Sequence, residues 1–241
     1  MNKSKDNVYN VYIKRALDLI VSFCAIIILS PILILLIISG TVAMKGNPFF
    51  IQKRPGIINP KTGKEKIFKL IKFRTMSNAK DENGNLLPDE KRLNTYGQFL
   101  RKTSLDEIPE LFNIFIGDMS FVGPRPQLVR DMVFMSDLQR RRHLITPGLT
   151  GLAQTKGRNA IEWEEKLEYD LKYLQSLSFA LDLKIIFDTF MQVVFRKKGV
   201  KGSVADEVEL AEDFGDYLLA KGKISEERYC EGLKEAERIL E

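Results

Sequence analysis

The chain has 241 residues, 44% hydrophobic and 29% charged, which excludes wholesale disorder and suits one ordinary domain with an appendage, or two very small domains. Two cysteines and a single histidine exclude a disulfide framework and a zinc site of His and Cys, and they point to a reducing compartment. A histidine triad would have to use His143, so transfer chemistry falls to carboxylates, hydroxyls, Lys and Arg. The net charge of +5 is uneven: residues 203–241 hold 12 acids and 5 bases, a net of −7, which leaves +12 on the body. A basic body suits an anionic partner such as a phosphate ester, an anionic lipid or nucleic acid.

No charged residue occurs from Leu19 to Met44. As a straight helix this run is about 39 Å long, against a hydrocarbon core of roughly 30 Å. Membrane association is therefore expected. The run is too long for the apolar region of a signal peptide, and no small-residue cleavage site follows. Ser30-Pro31 sits at its centre, where a proline removes a backbone hydrogen bond and should kink or break the helix. Each half would be about 18 Å, too short to cross alone. Lys14 and Arg15 precede the run, and Lys45, Lys53 and Arg54 follow it, so both ends favour the same side. Two arrangements fit: a hairpin re-entering one leaflet, or a single kinked span.

Phe49 to Lys53 and Ile67 to Phe73 read as a β-hairpin around a long turn-rich loop, and Asp81 to Lys91 as an exposed loop. A helix is expected from Ser104 through Phe115, a Gly/Pro loop over Gly117 to Pro126, and a helix over Leu128 to Leu144. Gly148 to Gly157 is a second glycine-rich loop. Glu162 to Leu174 is amphipathic, with Trp163, Leu167, Leu171 and Leu174 on one face, a face able to lie on lipid headgroups. Leu181 to Phe195, ending in Arg196-Lys197-Lys198, suits either a core helix or an interfacial one. Beyond Gly202, Val208 to Ala220 and Glu226 to Leu240 read as two helices, with Ser225 as an N-cap. They suggest a docking or oligomerisation element.

Asp106 and Glu107 are the most informative pair. Ser104 with Glu107 fits a capping box, which would make both acids ordinary first-turn residues. Alternatively they are adjacent carboxylates, with Arg101 and Lys102 close by, at a helix N-terminus that keeps Asp106 ionised. An ionised carboxylate attacks phosphorus to give an acyl phosphate, and its neighbour can hold magnesium. Lys72 and Arg74 close the expected hairpin, and Arg158 ends the second glycine loop. Arg125 lies in Pro124-Arg125-Pro126, where flanking prolines pre-organise the guanidinium. His143 reads as a surface or helix C-terminal residue.

These runs resemble the monotopic phosphoglycosyl transferases, also called bacterial sugar transferases. The similarity is carried by Lys14 to Asp18, Ser30-Pro31, Gln52 to Gly56, Lys72 to Met76, Arg101 to Leu111, Gly117 to Pro126, Pro147 to Gly151, Gly157 to Asn159 and Leu181 to Ile185. It covers Tyr12 to about Lys198 and looks like the family's minimal form. The resemblance implies transfer of a sugar 1-phosphate from a nucleoside-diphosphate sugar, usually a UDP-sugar, to polyprenyl phosphate. UMP is released, and the products start glycan assembly at the cytoplasmic face of the bacterial inner membrane. It implies a magnesium-dependent aspartyl-phosphosugar mechanism, with Asp106 as nucleophile and Glu107 as magnesium partner. It also favours the re-entrant hairpin broken at Ser30-Pro31. Arg101, Arg125, Lys72, Arg74 and Arg158 are then the candidate phosphate contacts.

The expected fold class is α+β and predominantly helical: a re-entrant membrane helix hairpin, a small β-hairpin, amphipathic interfacial helices and a C-terminal helical appendage. Residues 1–45 would form the membrane segment, 46–202 the catalytic domain, and 203–241 an acidic extension able to recruit a partner or a second copy. A membrane-anchored interaction module is the rival reading. Nucleic acid is not expected as a partner, because no aromatic-interleaved basic stripe is present.

Overall fold

The computed structural model describes residues 9–157, 161–194 and 213–241. A π-helical turn, Tyr9–Ile13, leads into α1, Lys14–Met44. This helix is continuous through Pro31, so the expected break at Ser30-Pro31 does not interrupt it. The reason is local. Pro31 cannot donate to the Ile27 carbonyl, and the Ser30 hydroxyl does so instead at 2.7 Å.

Both ends of α1 are held by one body. At its start, Lys14 Nζ pairs with Asp182 at 2.5 Å, and Asp18 accepts from the Phe121 amide at 3.1 Å. Arg15 donates to the carbonyls of Ile114 and Phe115, each at 2.7 Å. Near its end, Tyr96 donates to the Leu36 carbonyl at 2.9 Å and Asn94 to that of Ala43 at 3.2 Å. Leu33 and Leu36 pack on Phe73 and Leu100. Between the ends, Ala25, Ile26 and Leu29 pack against Phe68, Leu111 and Ile114, while the opposite face, with Ile20, Ile27, Ile28, Ile34 and Leu35, is exposed. The most apolar window of the helix has mean hydropathy 3.0 and is 17% buried.

β1, Phe49–Ile58, pairs antiparallel with β2, Glu65–Phe73. The hairpin is longer than expected, because a register shift between Pro55 and Ile58 carries Gly56 and Ile57 within the ribbon. A parallel pair, β3 (Ser120–Val122) with β4 (Gly148–Thr150), joins the two glycine loops and was not anticipated. Gly123, Gly148 and Gly151 meet backbone to backbone there, with no room for a Cβ. The helix expected over Leu128 to Leu144 is instead three short turns, Val129–Met132, Asp137–Arg140 and Arg141–Leu144. Ser136 and Gln139 form a capping box that restarts the chain.

Two longer helices lie between these turns and the C-terminal helices. The helix Trp163–Ser176 buries Leu167, Tyr173 and Leu174 in the core, so it does not lie on headgroups. The helix Phe179–Val194 buries Asp182 and Ile185 and exposes Leu183, Ile186, Phe187, Phe190 and Val193. That exposed apolar face suits an interface rather than a core helix. Phe195 and the basic run after it lie outside the described residues.

The helices Phe214–Ala220 and Glu226–Leu240 pack on the body, and residues 208–212 of the first expected helix lie outside the described residues. The Phe134 ring sits between Gly215 and Gly232 and stacks on Tyr229 at 5.8 Å. Phe214 packs with Met135 and Leu167, and its amide donates to Asp131 at 2.9 Å.

Candidate active site

A cleft of about 1920 Å³ opens between α1, the hairpin and the helices beyond residue 160. One wall is apolar, with Leu17, Val21 and Leu29 facing Leu183, Ile186 and Val193. The other carries Lys72, Arg74, Arg101, Asp106, Glu107 and Arg125. The fold thus brings together every candidate from the sequence except Arg158, which lies outside the described residues.

The helix Thr95–Thr103 is capped by Asn94 and ends at Ser104, whose φ of 56° is left-handed. This conformation costs a non-glycine residue roughly 1 kcal/mol. Leu105–Glu107 is a single 3-10 turn, and the helix expected from Ser104 begins only at Glu110 and runs to Ile116. Pro109 has no amide hydrogen to continue the ladder from Leu105. No capping box forms. Ser104 makes no side-chain cap, and Glu107 turns to Lys72 Nζ at 2.9 Å and Arg125 Nη2 at 3.0 Å. Lys72 also lies 3.0 Å from Glu110. Arg101 Nε donates to Thr75 Oγ1 at 3.0 Å.

Burial raises the Asp106 carboxyl above its usual pKa, and the charge of Glu107 adds to this, against Lys72 and Arg125. The helix N-terminus expected to keep Asp106 ionised lies further on: Asp106 sits in the 3-10 turn, ahead of the helix that begins at Glu110. Glu107 behaves oppositely. Burial works against its charge, but Arg125 and Lys72 outweigh that and hold it well below the carboxylate range. Glu107 in turn raises the pKa of Arg125, keeping it protonated.

Arg142 and Asp170 escaped the sequence reading. Arg142 is buried, with Nε on Asp170 at 2.9 Å and Nη2 on the Arg125 carbonyl at 2.6 Å. It therefore fixes the Pro-Arg-Pro turn from behind. Only a run of three basic residues before His143 hinted at it. His143 is not at the surface: it is 3% exposed and meets Glu65 at 3.2 Å. Burial pushes its pKa down to about 4, so it stays neutral.

Among the described residues no cluster of three or more His, Cys, Asp or Glu side chains has metal-holding geometry. Asp106 and Glu107 nonetheless fit magnesium by donor chemistry. Both offer hard carboxylate oxygens on the cleft wall, and magnesium usually takes one or two carboxylates plus substrate phosphates.

Residues 9–196 match the family described as bacterial sugar transferase. The chain belongs to that family, and it is a transferase. It is 45% identical over 184 residues to the uncharacterized sugar transferase EpsL of Bacillus subtilis, covering 76% of this chain and 87% of that protein. It is 38% identical over 201 residues to the UDP-glucose:undecaprenyl-phosphate glucose-1-phosphate transferase of Klebsiella pneumoniae, covering 79% of this chain but 42% of that longer protein. It is 33% identical over 206 residues to the undecaprenyl-phosphate galactose phosphotransferase of Salmonella typhimurium, covering 78% of this chain and 41% of that one.

Proposed function

We propose that this protein moves a sugar 1-phosphate from a UDP-sugar to polyprenyl phosphate, releasing UMP, at the cytoplasmic face of the bacterial inner membrane. The carrying observation is the adjacency of Asp106 and Glu107 in a cleft with one apolar and one cationic wall. The apolar wall suits an isoprenoid chain, and the cationic wall suits phosphates. Asp106 is the nucleophile. Its oxygen bonds to the sugar-bearing phosphorus as the bridging P–O bond breaks, and the phosphate of the lipid then displaces it. Magnesium, held by Glu107 and Asp106, would neutralise phosphate oxygens and favour the ionised nucleophile. Arg125, Lys72, Arg101 and Arg74 bind and orient phosphates. Arg125 and Lys72 also keep Glu107 charged.

The monotopic arrangement is part of this proposal. Contacts from both ends of α1 to one body support placing both ends on one side of the bilayer, with the exposed apolar face of the helix set into one leaflet. Helices α1 and Phe179–Val194 both present apolar faces for that purpose. The test is UMP release from a panel of UDP-sugars, in detergent with polyprenyl phosphate. Release beyond one UMP per protein should require the lipid phosphate, and all release should require magnesium and stop on chelation. No release from any UDP-sugar would refute the reading.

A further inference from the structure

Lys14 and Arg92 in the cleft are paired with Asp182 and Asp89, but two other cations there have neither an ion pair nor a part in the transfer as described. Arg54, on β1, lines the cleft, with Nη1 on the Pro126 carbonyl at 3.2 Å and Nη2 on Gln52 at 2.6 Å. Its Nε is buried without a hydrogen-bond partner. Lys166 lines the same cleft from the helix Trp163–Ser176, its ammonium 4.5 Å from the centre of the Trp163 ring. Among the described residues neither forms an ion pair. The carboxylates beside them are already engaged. Asp131 accepts from the amides of Leu128 and Phe214, both at 2.9 Å, and Asp170 accepts from Arg142. A guanidinium set into protein with an orphaned N–H and no carboxylate in ion-pair contact is costly unless an anion arrives. Burial, then the charge of Arg125, lowers the pKa of Arg54 to about 10, so it remains a cation at neutral pH.

We propose that Arg54 and Lys166 form a second anion subsite beside Arg125, which grips the phosphate of the departing nucleoside monophosphate. The inference rests on the transfer reaction proposed above and adds where its leaving group sits. A nucleoside diphosphate sugar has two phosphorus atoms, and the transferred one belongs beside Asp106. When the bridging P–O bond breaks, its electron pair stays with the nucleotide. That phosphate then carries two negative charges where it carried one. Cations held there in advance favour the transition state over the bound substrate. The anchoring of Arg54 on Pro126, one residue beyond Arg125, places this subsite next to the first.

The test is calorimetric binding of UMP and of uridine to the full chain in detergent. Variants are Arg54→Met, Arg54→Lys and Lys166→Met, each checked by thermal melting. The native chain should prefer UMP to uridine. Arg54→Met and Lys166→Met should each weaken UMP about tenfold or more, as expected for charge-assisted hydrogen bonds, and leave uridine within about twofold. Arg54→Lys should recover part of the loss. If Arg54→Met does not fold, Lys166→Met decides alone. UMP binding within twofold of native in the folded variants would overturn the subsite and leave the transfer reaction standing. A native chain that binds no UMP would overturn both.

Discussion

Asp106→Asn separates a nucleophile from a structural acid by magnitude. A structural acid near a helix start contributes about 0.3–1 kcal/mol through the helix dipole. A domain with 5–15 kcal/mol of stability would remain almost wholly folded after losing that, and its turnover would barely change. A nucleophile predicts a fall of about a thousandfold or more, some 4 kcal/mol in activation free energy. Stability should move the other way. Burial and Glu107 raise the Asp106 pKa in the fold, so the ionised form disfavours folding at neutral pH. A neutral Asn relieves that, and the melting temperature should hold or rise. The assay is incubation with labelled UDP-sugar and magnesium, without polyprenyl phosphate. Native protein should acquire a hydroxylamine-labile phosphosugar on Asp106, and the variant none. A folded Asp106→Asn protein with near-normal UMP release would sink the mechanism.

Three further outcomes follow from the fold. With Cys24 and Cys230 replaced, single cysteines at Ser4 and Lys61 should both label from the cytoplasmic side; labelling from opposite sides would mean a true span. Deleting residues 203–241 uncovers Val129, Met132, Met135 and Leu167, which pack against Phe214, Leu218 and Ala236. Lost burial of about 5 kcal/mol corresponds to a melting drop of roughly 10 °C, and an unchanged melting temperature would contradict it. His143 is neutral in the fold, with a pKa near 4 against 6.5 for the free group. The unfolded chain therefore binds the extra proton as pH falls from about 6.5 to 4, and up to about 3 kcal/mol of stability is lost over that window. His143→Asn should flatten that part of the stability–pH profile, and a profile unchanged by the substitution would refute it.

Local rules were legible where one residue decides. Ser225 caps its helix, and the β-prone runs on either side of Pro60 pair. They misled where tertiary contacts compete. Ser104 and Glu107 spell a capping box, yet Lys72 and Arg125, distant in sequence, take the carboxylate. Pro31 spells a helix break, yet the neighbouring Ser30 supplies the missing donor. The amphipathic face of Trp163–Ser176 was visible as a pattern, but that protein covers it depends on Val122, Ile145 and Ile185 at one end and on Phe214 and Leu218 at the other. The parallel β3–β4 pair left only glycines as a trace, because its reason is close backbone approach rather than side-chain periodicity. Arg142 and Asp170 were invisible, since a buried ion pair 28 residues apart has no local pattern.

The clasp on α1 also has a consequence in time. The partners of Lys14 and Asp18 lie 168 and 103 residues further along the chain. At a synthesis rate of about 5–20 residues per second, the Lys14 partner emerges roughly 8–34 s after Lys14 itself. Until its nearer partners, such as Phe68, Phe73, Asn94 and Tyr96, emerge, a helix entering the bilayer as proposed would do so with no body to hold it. Its depth and direction must therefore be decided by its own residues, the flanking positive charges and Ser30-Pro31. The later contacts can only lock in an orientation already taken, so substitutions in the clasp should affect how firmly the orientation is kept, and substitutions in the helix which orientation is first adopted.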